Sequence, residues 1–251
     1  MMRFLNKKKI KNSLKKFIYK RGYKISKANN FVFLDSLLNK LLAKKGTIEF
    51  IQIGGNDGVN DDPLHHFLTW NSTKVSGFIL EPVNDYFKEL EKNYSDYPTI
   101  KTLNLAIHNS EKEMIMHRVN PASVNEVPKY SKGIASFMKG HHVNCKIASE
   151  HIIEEKVNCM SLSELIEKNS IKNIDLLQID TEGYDAEIIL NIDFEKYKPS
   201  IINFEYYIPQ TISKETYDKI LKVLNENDYE IWMEINDITA YQRNLFIKLG
   251  S

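Results

Sequence analysis

Four carboxylates fall within eight positions in Asp180-Thr181-Glu182-Gly183-Tyr184-Asp185-Ala186-Glu187, directly after the apolar run Leu176-Leu177-Gln178-Ile179. Like charges this close repel, so a purely structural role requires each to cap a helix, hold a cation or stand in open water. Asp180, the first residue past the run, is the candidate for the group facing a reacting centre, while Asp185 and Glu187 are placed to start a following helix. A second apolar run, Ile201–Phe204, empties into Glu205-Tyr206-Tyr207. If the two runs are neighbouring strands, Glu205 stands beside Asp180. That pair can bind a divalent cation, hold a sugar hydroxyl or share a proton.

Two further motifs point to a nucleotide-like ligand. Gly54-Gly55-Asn56-Asp57-Gly58 follows the apolar run Ile48–Ile53. Its glycines permit a sharp turn and close approach of a ligand to the main chain. The motif has neither G-x-G-x-x-G spacing nor the Lys-Ser/Thr of a P-loop, which disfavours both of those phosphate sites, and a plain turn remains the alternative. Leu80-Glu81-Pro82 puts an acid at the end of the next run, where a carboxylate accepts hydrogen bonds from both ribose hydroxyls of an adenosine or caps the next helix. Among the histidines, His65 and His66 are adjacent on a predicted helix and cannot share a face. His141 follows Gly133-Ile134-Ala135-Ser136-Phe137 in a predicted lid and is a candidate general base or acceptor contact. Tyr206, Tyr207 and Trp232 are candidates for a sugar-stacking face.

These residues need a scaffold that brings strand ends together. Short apolar runs ending in Gly, Asn, Asp or Glu alternate with helically spaced stretches from Thr47 onward, the pattern of a doubly wound α/β sheet. Strands are predicted at 48–53, 75–80, 100–105, 174–179, 201–204, 229–234 and 238–242. Helices are predicted at about 62–70, 85–93, 161–168, 185–190 and 214–225, the first of them capped by Asp62 ahead of Pro63. Residues 120–156 break the rhythm with Pro121, Pro128, Gly133, Gly140 and three of the seven histidines, and read as an insertion or lid.

The net charge of +1 conceals a division: residues 1–46 carry fourteen Lys or Arg and one acid, so the rest of the chain is about −12. Ile10, Leu14, Phe17 and Ile18 recur at helical spacing among lysines, which predicts a basic amphipathic helix. It would pack on its own acidic body or a second subunit in a homo-oligomer, or contact an anionic membrane or an assembly partner. No aromatic platform accompanies it, which disfavours nucleic acid. A second helix, with Phe31, Leu34, Leu37, Leu38, Leu41 and Leu42 on its face, stops near Gly46. The division of the chain is therefore a helical extension over 1–46 and a catalytic domain over 47–251, with its lid at about 120–156. No run approaches the roughly 18 apolar residues of a membrane-spanning helix. The N-terminus lacks the apolar core and cleavage site of a secretory signal, and Cys145 and Cys159 form neither a disulfide framework nor zinc-ligand spacing. The expected location is the cytoplasm, with membrane-peripheral attachment as the variant.

Taken together, Gly54-Gly55-Asn56-Asp57-Gly58, Leu80-Glu81-Pro82, Asn104-Leu105-Ala106, the Ile179–Asp185 block and Asn203-Phe204-Glu205 resemble the FkbM family of S-adenosylmethionine-dependent O-methyltransferases, over roughly 47–242. The resemblance implies an α/β, Rossmann-like class I methyltransferase fold, with a seven-stranded, mostly parallel sheet, helices on both faces and an antiparallel final strand. It also implies methyl transfer to a hydroxyl, often on a sugar in polysaccharide, glycolipid or natural-product assembly. Carried over, Gly54, Gly55, Asn56, Asp57 and Gly58 face the methionine part of the cofactor. Glu81 and Pro82 lie at its ribose and Leu105 and Ala106 at its adenine, while Asp180, read above as facing the reacting centre, is also expected to touch the cofactor. Many members have Asp where this chain has Gln52, and Asp57 is the acid expected to substitute.

The expected activity is thus O-methylation of a nucleotide-linked sugar or a surface-polysaccharide precursor. Asp180, Glu205 and His141 are the catalytic candidates, and Ser136, His141, Glu182 and Tyr206 shape the acceptor pocket. Asp180 acts as a metal-free base or, with Glu205, holds Mg or Mn, which suit oxygen-only ligation. The rivals are a nicotinamide oxidoreductase, whose glycine spacing and hydride site are not found, and a non-catalytic scaffold that recruits partners through the basic arm.

Overall fold

The computed structural model describes residues 33–128, 131, 133–206, 212–234 and 237–245. The predicted basic helix around Ile10–Ile18, together with Phe31 and Tyr207, lies outside the described residues. None of the described helices is long and apolar enough to cross a membrane.

The strands are β1 (Ile48–Ile53), β2 (Val75–Leu80), β3 (Ile100–Leu103), β4 (Ala106–Ile107), β5 (Glu113–Val119), β6 (Ala135–Ser136), β7 (Ile152–Met160), β8 (Leu176–Ile179), β9 (Ile201–Glu205), β10 (Tyr229–Met233) and β11 (Asp237–Gln242). The helices are α1 (Phe33–Lys45), α2 (His65–Trp70), α3 (Asn84–Tyr94), α4 (His141–Asn144), α5 (Leu162–Lys168), α6 (Asp185–Leu190) and α7 (Lys214–Glu226). A seven-stranded sheet runs β10-β11-β9-β8-β1-β2-β3, and only β11 is antiparallel to its neighbours. The order reverses between β1 and β8, and a crevice opens beyond the carboxyl ends of strands at such a switch point.

Both faces of the sheet are covered, which is why its central strands read as continuous apolar runs. Ile51, Ile53, Leu177, Ile179, Ile202 and Phe204 pack with α5, α6 and α7 on one face. Ile48, Phe50, Ile79 and Leu176 pack with α1, α2 and α3 on the other. The predicted helix ending at Gly46 is therefore core: Leu37 and Leu38 of α1 are fully buried, and Phe33 stacks on Trp232 with centroids 4.7 Å apart. At the other end of α1, Lys45 Nζ donates to both oxygens of buried Asp175, each at 2.7 Å, and Asp175 also accepts from Glu49 N. The core packed on the main sheet thus takes in α1, which lies ahead of the boundary drawn at residue 46.

A four-stranded sheet, β4-β7-β5-β6, sits beside the first. The predicted 100–105 strand stops at Leu103 because Asn104 turns its amide onto the carbonyls of Glu81 and Pro82, each at 2.9 Å. The chain then enters the second sheet, whose long β5–β7 pair was not foreseen. That pair brackets the predicted insertion, so the departure from the main sheet begins at Ala106 rather than near 120. Buried Arg118 of β5 fastens the pair to the body. It donates to Asp85 at 2.6 Å, lies 3.1 Å from Glu155 and covers the Tyr86 ring.

If α1 is core, Leu38→Ala should cost about 2–5 kcal/mol in urea unfolding, as other buried leucine truncations do. A loss below about 1 kcal/mol would make α1 an appendage.

Candidate functional site

The ends of β1 and β8 are drawn together by backbone contact. Asp180 N donates to Ile53 O at 2.9 Å, and a Cβ on Gly54, whose φ is +83°, would stand 1.7 Å from Asp180 O. Only glycine fits there, by both space and backbone angle. Beyond this junction opens a cavity of 540 Å³, within the usual range of roughly 300–1,000 Å³ for small-molecule sites. Its wall includes Gly54, Gly55, Asn56 and Asp57 of the glycine turn, Glu81 and Pro82 after β2, and Leu105 and Ala106. Asp180, Thr181 and Glu182 close it after β8. Gly58 is absent from this wall; it packs against Leu90 and Tyr94 of α3.

Glu81 is buried, and each oxygen accepts one backbone amide, Oε2 from Asn56 and Oε1 from Val83, both at 2.8 Å. Burial outweighs these bonds and pushes its pKa up to about 7. A carboxylate has about four acceptor positions, so capacity for two more donors remains. Asp57 is already committed: Oδ1 accepts from Val59 and Asn60 amides at 2.9 and 2.8 Å, and Oδ2 from the Asn60 side chain. These three bonds close its own turn and leave it little capacity to substitute for the acid missing at Gln52, although it stands in the cavity wall.

Strands β8 and β9 are parallel neighbours with Ile179 opposite Phe204, so Asp180 and Glu205 follow side by side at the sheet edge. Asp180 opens onto the cavity with its side chain accessible there, while protein atoms crowd the carboxylate and strip away much of its solvation. That desolvation, with Glu182, Asp185 and Glu205 adding repulsion, raises its pKa well above the carboxylate range. Glu205 is pushed to about 8 by burial first and by its acidic neighbours second. Asp185 is a structural tie: it accepts from Thr181 N and Oγ1 and from Glu205 N, linking the loop after β8 to β9. Burial nevertheless holds its pKa near 6.

Other predicted residues stand behind the wall. Ser136 donates to Glu182 O at 2.6 Å, and His141 Nε2 lies 3.0 Å from Glu182 Oε2, so the segment carrying β6 and α4 is latched to the acid loop. Glu182 reaches the cavity; Ser136, His141 and Glu205 are not in its wall. Tyr206 packs on Tyr217 and Trp232 on Phe33, and neither is in the cavity wall. Among the described residues no group of three or more His, Cys, Asp or Glu is arranged to hold a metal.

Asp62, Gln178, Met116, Val124, Asn125 and Phe137 also line the wall, places not expected from their sequence context. The alternation Glu155-Lys156-Val157-Asn158-Cys159, with Val157 and Cys159 buried and Lys156 and Asn158 exposed, is the period-two signal that would have revealed β7 and hence this side of the cavity.

Residues 52–231 match the methyltransferase FkbM domain. No curated protein matches the chain. Among solved structures, an O-methyltransferase from Bacillus cereus in complex with SAH is similar at 8% identity and TM-score 0.45, over 96% of this chain and 93% of that one. A precorrin-6y C5,15-methyltransferase from Geobacter metallireducens is similar at 10% identity and TM-score 0.39, over 87% and 93%. Aeropyrum pernix fibrillarin with natively bound S-adenosyl-L-methionine is similar at 12% and 0.38, over 81% and 73%. The strand order, the single antiparallel strand β11 and the family match together give the Rossmann-like methyltransferase fold.

Because folded Glu205 keeps its proton up to about pH 8 while the unfolded chain releases it near 4.5, this residue's contribution to stability is complete below 4.5 and falls as pH rises toward 8. Glu205→Gln should therefore melt above the wild type at alkaline pH, with the gap closing toward pH 4.5. Parallel melting curves at all pH values would remove the assigned proton.

Proposed function

Because the chain belongs to the FkbM-domain methyltransferase family and is a methyltransferase dependent on S-adenosylmethionine, we propose that its cleft carries out O-methylation of a sugar, on a nucleotide-linked sugar or a surface-polysaccharide precursor. The observation that carries this reading is the position of Asp180: a carboxylate in the cavity wall at the switch point, one backbone contact from the glycine turn.

The residues present suit the donor. Glu81 retains capacity for two donors, the number a ribose diol offers. Leu105, Ala106, Ile107, Met116 and Phe137 supply an apolar wall for an adenine. Bound there, the donor supplies an electrophilic methyl group. The protein's share is alignment of the acceptor oxygen with that methyl, and removal of the hydroxyl proton by Asp180 as the new bond forms. Asp180 must be ionised to do so. Its neighbours Glu182 and Glu205 oppose ionisation, and a positively charged ligand in the cleft relieves that opposition. Glu182 is the acceptor contact in this reading, with Ser136 and His141 as positioning residues that fix its loop. The basic segment within residues 1–46 is read from its sequence as the contact to an anionic membrane, an assembly partner or a second subunit, and not to nucleic acid.

Incubation with labelled S-adenosylmethionine and a panel of nucleotide sugars should give one acceptor with the mass gain of a methylation, and failure across hydroxyl acceptors would remove the sugar assignment. Asp180→Asn should lower turnover by about 10²–10⁴, the usual weight of a general base. Transfer should rise with pH as the acid cluster loses its protons, through about 8 for Glu205. It should also survive exhaustive EDTA. Loss on chelation, restored by Mg or Mn, would move the role to a cation on Asp180 and Glu205.

A further inference from the structure

We propose that Asp62, with Gln52 and Gln178 beside it, receives the α-ammonium group of the cofactor's methionine end. This assignment rests on the donor proposed above and gives a place to the part of it that neither Glu81 nor Asp57 can hold.

Asp62 lies in the loop between β1 and α2 and forms part of the cavity wall. Its two oxygens are treated differently. Oδ1 accepts from Leu64 N at 2.8 Å and from Gln52 Nε2 at 3.2 Å, whereas Oδ2 is buried with no donor. A carboxylate only accepts, so the Gln52 amide must present its nitrogen to Asp62, which leaves Gln52 Oε1 as the free atom. That atom is also buried without a partner, as is Gln178 Oε1. Gln52 and Gln178 are register partners across β1 and β8, and both are in the wall of the same cavity. Three buried acceptors in one wall thus lack a donor, and an unpaired buried acceptor is costly.

An ammonium group is the chemical complement: it carries three N–H donors and one positive charge. A carboxylate or phosphate would meet only acceptors here, and a ribose diol is matched by Glu81 beyond β2. Asp57, the acid expected to serve, has both oxygens committed to its own turn. Burial raises the Asp62 pKa above its ordinary value, which agrees with a carboxylate that lacks its counter-charge until a cation arrives.

The test is calorimetric binding of S-adenosylhomocysteine and of its deaminated analogue, which keeps the adenosine and the carboxylate. Wild type should bind the analogue roughly ten- to hundredfold more weakly, the usual weight of a charge-assisted hydrogen bond. Asp62→Asn should weaken S-adenosylhomocysteine by a similar factor and abolish the discrimination. Asp62→Ser, which keeps an acceptor for Leu64 N, replaces it if the amide variant does not fold. Equal binding of the two compounds by wild type, or unchanged discrimination in the variant, would overturn the assignment while leaving the donor in place. Binding of neither by wild type would remove the proposed donor and this assignment with it.

Discussion

The cleft is governed by a shortage of positive charge. Asp62, Glu81, Asp180, Asp185 and Glu205 all surround one sheet edge, and in each desolvation is the leading influence and raises the pKa above its ordinary value. Backbone amides position several of them without neutralising them: Asn56 and Val83 for Glu81, Leu64 for Asp62, Thr181 and Glu205 for Asp185. Arg118 is a buried cation close enough to Glu81 to matter, but its own bonds go to Asp85 and Glu155. Such a cleft favours a ligand that brings charge, and a sulfonium donor with an α-ammonium group brings two positive centres.

The same edge depends on a backbone junction that leaves no room for adjustment. With Gly54 against the Asp180 carbonyl, the glycine turn and the acid loop form one rigid corner. The second sheet closes the corner from outside, where Val83 and Tyr86 pack with Met116, Val157 and Cys159. Opposite, the latch from Ser136 and His141 to Glu182 fixes the acid loop by its carbonyl and its carboxylate at once. Reactive groups set on strand ends and braced from behind hold geometry better than groups on free loops.

Much of the scaffold was legible because its strands are buried on both faces. Ile48–Ile53 and Val75–Leu80 were delimited from apolar runs alone and have those ends in the structure. The acid block after β8 was legible because crowded carboxylates have few structural explanations. The β5–β7 pair was not, since one face of each strand is solvated and its partner lies far away in sequence; Lys156 and Asn158 on the outer face dilute the apolar signal, and exposed Ile115 breaks the alternation. Asp62 was read as a cap from the Pro63 that follows it, and it does accept from Leu64 N, but the helix itself starts only at His65. Nothing local discloses its bond to Gln52, because that bond closes a loop between a strand and the residue ten positions on.

Placing an acid at 62 rather than on β1 has a physical consequence for the cleft. A carboxylate on the strand would be fixed by the sheet, whereas one in the loop is only as well placed as the loop is ordered. Here the order comes from Asp57, which caps Val59 and Asn60, and from α3, where Asn93 donates to Asp57 O and Tyr94 to Gly58 O. Loops held by a few polar bonds open at lower free energy than strands do. An ammonium bound to Asp62 would oppose that opening, so occupancy of the methionine end and order in residues 57–63 must strengthen one another by linkage. With Gln52 at the strand position and the carboxylate at Asp62, a grip on the cofactor's amino end would lie in a loop rather than on the rigid sheet, and binding there would complete the loop's order.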